Sequence, residues 1–151
     1  MRKLRIYLDN CCFNRPYDDQ TQLKIELETK AKLFIQNLAF YGKVDLVWSY
    51  MLDFENDKNP FPQKRRAIAQ WRKLAATDVE ETPQILEIAE EAVGQGLALA
   101  DALHVACAIN AGCDCFITVD RRLLKYKTSG QITLCNPMTF LESWEDEEND
   151  N

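Results

Sequence analysis

Short apolar runs alternate with helical patterns along the chain, and this alternation constrains the fold more than any other feature. The runs that predict strands are residues 4–8, 44–48, 115–119 and 131–135. Periodic apolar positions predict helices at about 20–41, 49–57, 62–76, 83–93 and 99–111, with a basic half-helix at 121–127. Strands separated by helices favour a parallel sheet with helices on both faces, so we expect an α/β protein.

The length and composition indicate one globular domain followed by an acidic tail. The chain has 151 residues, of which 46% are hydrophobic and 28% charged, which is enough apolar material for a full core. We place the domain at 1–141 and expect the tail, 142–151, to be disordered or frayed. Without the six acidic residues of this tail, 18 acidic and 18 basic residues remain. The net charge of −6 therefore leaves a neutral body, which weakens the case for a nucleic-acid partner without removing it.

The sequence shows no sign of export, membrane insertion or a zinc site. The N-terminal apolar stretch, Ile6-Tyr7-Leu8, is too short for a signal peptide, and no run approaches the ~18 apolar residues of a membrane span. We expect a soluble cytoplasmic protein with no membrane partner. The cysteines at 11, 12, 107, 113, 115 and 135 are expected to be reduced, because their spacing does not fit structural zinc and there is one histidine.

Two acidic residues directly follow predicted strands. Asp9 ends the run that begins at Leu4, and Asp120 ends the run that begins at Cys115. The carboxyl ends of parallel strands meet at one edge of a sheet, where ligands bind in open α/β folds. Each acid also has an ordinary structural explanation, because Asp9 suits a turn and Asp120 suits the N-cap of the half-helix.

Two more acidic residues lie on predicted helices. Glu55 comes one or two turns after the second strand, with Asp53 and Asp57 as rivals that equally suit a solvated helix face. Asp101 is more informative, because it interrupts an otherwise apolar helical run, and a buried carboxylate is unfavourable unless it is paired or metal-bound. The alternative for Asp101 is a favourable interaction with the N-terminal end of the helix dipole.

Together the four acids indicate a site for a hard divalent cation. Mg²⁺ and similar ions prefer oxygen ligands, and in phosphodiester hydrolysis they activate water and neutralise phosphate charge. His104 follows Asp101 by one turn and lies on roughly the same helix face. It is a candidate ligand or base, but a histidine in an apolar helix is more often a packed, hydrogen-bonded residue.

The ordered motifs of the chain resemble PIN-domain nucleases, including the toxin ribonucleases of toxin–antitoxin pairs. The matching pieces are Ile6-Tyr7-Leu8-Asp9, the segment from Ser49 to Glu55, Ala100-Asp101-Ala102-Leu103-His104-Val105-Ala106, and Ile117-Thr118-Val119-Asp120. They span about residues 4–136, and the third and fourth pieces are the most specific. The sequence departs from the family at Asn10, where Thr or Ser is common, and in a longer loop at 11–19.

The resemblance implies a three-layer α/β/α sandwich with a mostly parallel sheet and metal-dependent cleavage of RNA, or less often DNA. It carries the catalytic and metal-binding roles to Asp9, Glu55, Asp101 and Asp120, with Mg²⁺ or Mn²⁺ as the ion. Thr118 is expected to support the site through its hydroxyl group, and Asn10 and His104 are further supporting candidates. An antitoxin protein and a second copy of the chain are the partners that the resemblance suggests.

Basic residues near the acidic edge are candidates for contacting nucleic acid. These are Arg15, Arg121 and Arg122. The basic set at 64–73 better fits a solvated helix face with Ile68 and Trp71 turned inward, and the sequence shows no aromatic stacking platform.

Three other functions stay open on the sequence. One is a PIN-fold binding module without catalysis. Another is a phosphoryl-transfer domain, but Asn10 and Cys11 follow Asp9 where a phosphatase needs a second acid, and no lysine ends the strand at 131–135. The third is a redox protein, which would need a Cys-x-x-Cys motif.

Overall fold

The structure is a computed structural model that describes residues 3–128 and 130–149. Its strands are β1 (Arg5–Leu8), β2 (Asp45–Ser49), β3 (Thr77–Val79), β4 (Cys115–Ile117) and β5 (Thr133–Cys135). Its helices are α1 (Asn10–Asn14), α2 (Leu23–Phe40), α3 (Tyr50–Asp57), α4 (Pro62–Ala69), α5 (Pro83–Gly94), α6 (Leu99–Asn110), α7 (Arg121–Leu124) and α8 (Pro137–Asn149). Turns of 3₁₀ helix cover Arg15–Tyr17 and Gln70–Leu74.

The strands form one parallel sheet in the order β3-β2-β1-β4-β5. The central strand β1 pairs with β2 on one side and with β4 on the other, so that Tyr7 lies opposite both Val47 and Phe116. Because β1 is covered on both faces, Ile6, Tyr7 and Leu8 are all fully buried. Among the helices, α2 packs against α8, and α5 packs against α6. This arrangement confirms the α/β sandwich with a parallel central sheet.

Local sequence explains where several helices begin. Thr82 accepts a hydrogen bond from the Ile85 amide at 3.3 Å, and Pro83 occupies the first turn, where its missing amide hydrogen is not needed. Ser49 begins α3 in the same way by accepting from the Leu52 amide at 3.3 Å. These caps place the start of α3 directly at the carboxyl end of β2.

The structure corrects the sequence-based boundaries in three places. Residues 77–79 form an edge strand that the pattern did not predict, and the loop predicted at 10–19 contains α1 and a 3₁₀ turn. The sequence pattern favoured a frayed tail from residue 142, whereas the structure continues α8 to Asn149; residues 150 and 151 lie outside the described residues. The helix holds because Phe140 is buried and Trp144 packs edge-on against Phe34, while the acidic side chains face solvent.

The buried face of α2 is partly polar. Ala31, Ile35 and Leu38 are buried as their spacing predicts, but so are the polar residues Glu28, Thr29, Lys32 and Gln36. Leu23, in contrast, is 69% exposed. The buried face of α2 therefore does not coincide with its apolar stripe, because Glu28 and Thr29 form hydrogen bonds with the segment at Arg15–Tyr17.

All six cysteines carry free thiols, as expected. In the described ranges, 3–128 and 130–149, no helix is both long enough and apolar enough to cross a membrane.

Candidate functional site

The strand order of the sheet reverses between β1 and β4, and the candidate acids lie at this point. From β1 the chain builds outward through β2 to β3, and it then returns to add β4 on the other side of β1. Asp9 follows β1 and Asp120 lies three residues beyond β4, so both acids lie at the carboxyl edge of neighbouring strands. Ligands bind in this crevice in open parallel sheets.

Asp9 is buried, with 7% of its surface exposed, and protein donors hold its carboxylate. Its Oδ1 accepts from the Asn10 amide at 2.8 Å, which begins α1. Its Oδ2 accepts from the Thr118 hydroxyl at 2.8 Å and from the Cys11 thiol at 3.4 Å. These bonds fix the carboxylate at the strand end.

Thr118 connects the two strand-end acids. Its side chain is fully buried, and its hydroxyl donates to Asp9 while accepting from the Asp120 amide at 3.1 Å. Asp120 itself caps α7, since its Oδ1 accepts from the Arg122 amide at 2.9 Å. The predicted contact of Thr118 with the acids is therefore present, and the structural explanation for Asp120 as an N-cap also holds.

Glu55 reaches the same region from α3. Its Oε1 forms a short hydrogen bond and ion pair with Nε2 of His104, which is 1% exposed. The other ring nitrogen of His104 shares a hydrogen bond of 2.5 Å with the Tyr7 hydroxyl, and that hydroxyl shares one of 2.6 Å with Ser49. A continuous chain of bonds thus fixes Glu55 from the interior of the sheet.

The charges of this pair support each other. Burial alone would lower the pKa of His104, but the hydrogen bond to Glu55 and the nearby charge of Asp9 outweigh burial and raise it. Burial would likewise raise the pKa of Glu55, but its bond to His104 brings the pKa below the ordinary value. Both pKa shifts favour a charged imidazole paired with a charged carboxylate, and His104 contacts the cluster through Glu55.

Asp101 shows most clearly that the acids converge. It lies in the first turn of α6 and is half-buried. Partial burial raises the pKa of its carboxyl, and the negative charges of Asp9 and Asp120 raise it further. Glu55 acts in the same direction, whereas His104 opposes it. Asp9, Asp120 and Glu55 therefore lie close enough to Asp101 for their charges to act on its carboxyl group, although the four residues come from separate elements.

The rival acids of α3 lie elsewhere. The Asp53 carboxylate accepts a hydrogen bond from Trp48 Nε1 at 2.9 Å and lies 3.7 Å from the guanidinium group of Arg72. Asp53 therefore binds these two residues and not the acid cluster. Asp57 is exposed at the end of the helix. Of the three candidates on α3, Glu55 is the one joined to the cluster.

The comparisons with known proteins agree with this geometry. The model of the PIN domain family matches residues 6–128. The chain belongs to the PIN domain family. Membership supports hydrolysis of nucleic acid as the class of activity.

Two solved structures share the PIN fold with this chain at low sequence identity. A structure of VapBC2 from Rickettsia felis bound to a DNA fragment from their promoter is 10% identical, with a TM-score of 0.57, covering 88% of this chain and 98% of that one. A structure of PAE2754 from Pyrobaculum aerophilum is 15% identical, with a TM-score of 0.54, covering 92% of this chain and 88% of that one. No curated protein matches the chain significantly. At these identities the structural likeness concerns the fold.

The basic residues predicted near the acid cluster differ in whether other side chains already bind them. Arg15 is already paired, because its guanidinium lies 2.8 Å from Glu28 Oε1 and 3.0 Å from Asp18 Oδ2. Arg121 and Arg122 are exposed at the start of α7, directly after Asp120. Arg121 and Arg122 therefore lie exposed beside Asp120, while Arg15 holds its own segment to α2.

The donor set of the site fits a hard divalent cation. Within residues 3–128 and 130–149, no three Asp, Glu, His or Cys side chains are already drawn together closely enough to hold a metal ion. The carboxylates of Asp9, Glu55 and Asp120 bond to protein donors instead. Nevertheless all four acids offer oxygen, the ligand that Mg²⁺ and Mn²⁺ prefer, and their mutual repulsion is the condition that a cation relieves.

Asn10 adds an unused oxygen to this set. Its side chain bonds to Glu55, and its Oδ1 is buried without a hydrogen-bond partner in the described part of the chain. A buried polar atom without a partner is unfavourable and calls for a ligand, a substrate or an ordered water. Asn10, which the sequence offered as a supporting candidate, therefore lies beside Glu55 with one acceptor available.

Sequence reasoning missed two residues that contact the site. Tyr7 lies in β1 and precedes Asp9 by two positions. Side chains two positions apart in extended backbone point to the same face of a sheet, so the sequence did indicate that Tyr7 lies near Asp9. Cys11 contacts both Asp9 and Thr118, the latter at 3.3 Å. No pattern in the sequence distinguishes Cys11 from the other cysteines.

Proposed function

We propose that this PIN-domain protein is a metal-dependent endoribonuclease that acts as the toxin of a toxin–antitoxin pair. The observation that carries the proposal is the convergence of acids at the carboxyl ends of β1 and β4, where the Thr118 hydroxyl joins Asp9 to Asp120 and where both acids lie close enough to Asp101 to raise its pKa. A fold gains no stability from four repelling carboxylates, and perturbed carboxyl groups of this kind gather at functional sites. RNA is the preferred substrate over DNA because the sequence motifs resemble the toxin ribonucleases of the family.

The four acids would hold one or two Mg²⁺ or Mn²⁺ ions. Bound there, the ion would polarise the scissile phosphate and lower the pKa of the attacking water. In the hydrolysis, the water oxygen bonds to phosphorus in line with the leaving oxygen, the bond from phosphorus to that oxygen breaks, and a proton from the water ends on the leaving oxygen. Arg121 and Arg122 orient the strand through its phosphates.

The surrounding residues act by positioning the acids. Thr118 keeps Asp9 and the backbone of Asp120 in a fixed relation, since one hydroxyl bonds to both. His104 holds Glu55 and is held by Tyr7 in turn. Hydrogen-bonded partners of this kind commonly change metal affinity by about 10- to 100-fold when they are removed.

An antitoxin and a second copy of the chain are the proposed protein partners. The VapBC2 structure and the motif resemblance support an antitoxin. An apolar patch supports a homodimer: Phe54 is 53% exposed and Leu99 is 63% exposed, and they line a cavity of about 350 Å³ with Leu103 between α3 and α6. Exposed apolar patches of this kind mark interaction sites. A cytoplasmic location stays a prediction.

The proposal is tested by cleavage of a labelled single-stranded RNA in EDTA, Mg²⁺ or Mn²⁺, with wild type beside Asp101→Asn. We expect cleavage that requires metal and that disappears in the variant, while its circular dichroism spectrum stays native. Asp57→Asn is the matched control and should cleave like wild type. Absence of cleavage by wild type with every metal and with cellular RNA would favour the alternative, a PIN-fold binding module without catalysis.

A further inference from the structure

A groove extends from the acid cluster over a part of the surface to which the proposed nuclease function assigns no role. It has a volume of about 340 Å³ and begins at Asn10 and Glu55. Its far walls are formed by Tyr17 from the 3₁₀ turn and by Phe61 and Lys64 at the start of α4. The groove is therefore continuous with the candidate catalytic site and extends from it over two separate segments of the chain.

The walls of this groove combine exposed aromatic rings with lysines. Phe61 is 56% exposed and Tyr17 is 43% exposed. The ammonium group of Lys64 lies 4.2 Å from the centre of the Phe61 ring and 5.1 Å from that of Tyr17. Lys58 lines the same groove. Aromatic rings beside cations are the surface on which proteins bind unpaired nucleotides, because rings stack on bases while lysines meet phosphates.

The aromatic rings are held on fixed backbone. Phe61 stands between Pro60 and Pro62, whose rings restrict the backbone on both sides, and its amide donates to Asn59 Oδ1 at 3.1 Å. Asn59 also donates to Asn14 Oδ1 at 3.3 Å, which joins the two walls of the groove.

On the opposite wall, the ion pair between Arg15 and the buried Glu28 fixes the turn that carries Tyr17. Both rings are therefore presented in place before any ligand arrives. The long loop at 11–19 thus builds a wall of the groove.

We propose that this groove binds an unpaired nucleotide next to the phosphodiester that is cut, with Phe61 and Tyr17 stacking on its base and Lys64 contacting its phosphate. The inference rests on the proposed nuclease function and makes the substrate class more specific. Bases in a duplex are stacked on each other and cannot lie on a side chain, so the site selects unpaired RNA over duplex RNA. The charges of the lining balance, with Lys58 and Lys64 against Asp18 and Glu55. The two exposed rings beside Lys64 are therefore the feature that favours a nucleotide over a peptide.

Binding of a short RNA that carries 2-aminopurine tests the groove directly. The full chain is titrated in EDTA, where cleavage does not interfere, and stacking is followed as fluorescence quenching. We expect Phe61→Ala to weaken binding of the single strand by about tenfold and to reduce the quenching, because the variant removes one of the two surfaces on which the base stacks. Phe61→Trp should restore both. Phe40→Ala, which removes a 59% exposed ring that does not line the groove, should bind like wild type.

Charge and strandedness give two further readouts. Lys64→Gln should lower the slope of log affinity against log salt by about 0.7, the value for one phosphate contact on a single strand. Lys73→Gln, an exposed lysine outside the groove, should leave the slope unchanged. A duplex of the same sequence should be insensitive to Phe61→Ala.

The outcomes separate this inference from the nuclease proposal. If wild type cleaves RNA but Phe61→Ala keeps the same affinity, quenching and KM, the groove proposal is wrong and the nuclease stands. If wild type shows the expected stacking without cleaving RNA under any metal, the nuclease proposal fails while the groove stands. If the ring variants leave RNA binding intact and abolish binding of a protein partner, the groove is a protein-docking site and our assignment is overturned.

Discussion

Replacing Asp101 by asparagine separates two explanations for a carboxylate in the first turn of α6. If Asp101 is there to stabilise the helix, the substitution removes a favourable interaction with the helix dipole and lowers stability by about 0.3–1 kcal/mol. If Asp101 belongs to a metal site, it is repelled by Asp9, Asp120 and Glu55 in the metal-free protein. The substitution then raises stability, so the two explanations predict opposite signs.

The size of the effect follows from the charges and their exposure. Two like charges about 4 Å apart in a water-like medium repel by about 1 kcal/mol, and Asp101 is half-exposed to such a medium. Asp101 is repelled by three such charges and attracted by His104, so after the lost dipole interaction we expect Asp101→Asn to stabilise the metal-free protein by about 1 kcal/mol at low salt. For a chain of this size that raises Tm by about 2–4 °C.

The dependence on pH has a definite sign. The folded state raises the pKa of Asp101, so its ionisation costs stability above that raised pKa. The gain from Asp101→Asn should therefore be full at pH 7 and disappear as the pH falls below the ordinary range of a carboxyl group, about 4. Added salt should reduce the gain through screening.

The assay is thermal unfolding of wild type, Asp101→Asn and Asp57→Asn in EDTA, repeated with Mn²⁺. Asp57 is exposed outside the cluster, so its substitution should shift stability by less than about 0.5 kcal/mol. Mn²⁺ should stabilise wild type and have little effect on Asp101→Asn. A lower Tm for Asp101→Asn than for wild type in EDTA would refute the repulsion argument and leave the helix-dipole explanation.

Three further substitutions test the surroundings of the site. Thr118→Val should weaken Mn²⁺ binding in calorimetry by about tenfold or more, because Asp9 loses its hydroxyl donor; unchanged affinity would show that Thr118 serves the fold alone. Arg15→Met should lower the free energy of unfolding by about 3 kcal/mol in urea, since it leaves buried Glu28 unpaired, and adding Glu28→Gln should recover part of the loss. Burial lowers the pKa of Lys32 from 10.5 to about 8, so Lys32→Met should raise the free energy of unfolding by about 3 kcal/mol at pH 7. This gain should vanish as the pH rises from 8 to 10.5. A gain in stability that does not depend on pH would contradict a buried ammonium group.

The periodic parts of the sequence predicted the fold, and the aperiodic parts did not. The apolar run at β1 and the amphipathic pattern of α5 are strong signals, and both elements formed where they were expected. Thr77–Val79 is a three-residue edge strand with an exposed Asp78, which leaves no apolar alternation to read. The end of α8 was missed because its acidic composition resembles a solvated tail, whereas Trp144 fixes the helix against Phe34.

The acids of the site were predictable, but their support was not. Asp9 and Asp120 follow from strand ends, and Asp101 follows from a charge inside an apolar helix. The contact of Tyr7 with His104 joins residues far apart in the chain and depends on how α6 packs on the sheet. The pairing of Arg15 with Glu28 is equally tertiary, and it removes an arginine that looked free in the sequence. The groove was invisible for the same reason, because Tyr17 and Phe61 come together through folding.

Crystals soaked in Mn²⁺ and measured at the manganese absorption edge give the most direct test of the central claim. We expect an anomalous peak among Asp9, Glu55, Asp101 and Asp120, coordinated by carboxylate oxygens at about 2.1–2.2 Å, close to the distances of other oxygen-bound divalent ions. The peak should be absent from Asp101→Asn crystals. A peak at another position, with these four carboxylates free of metal at saturating Mn²⁺, would contradict the assignment of a shared metal site.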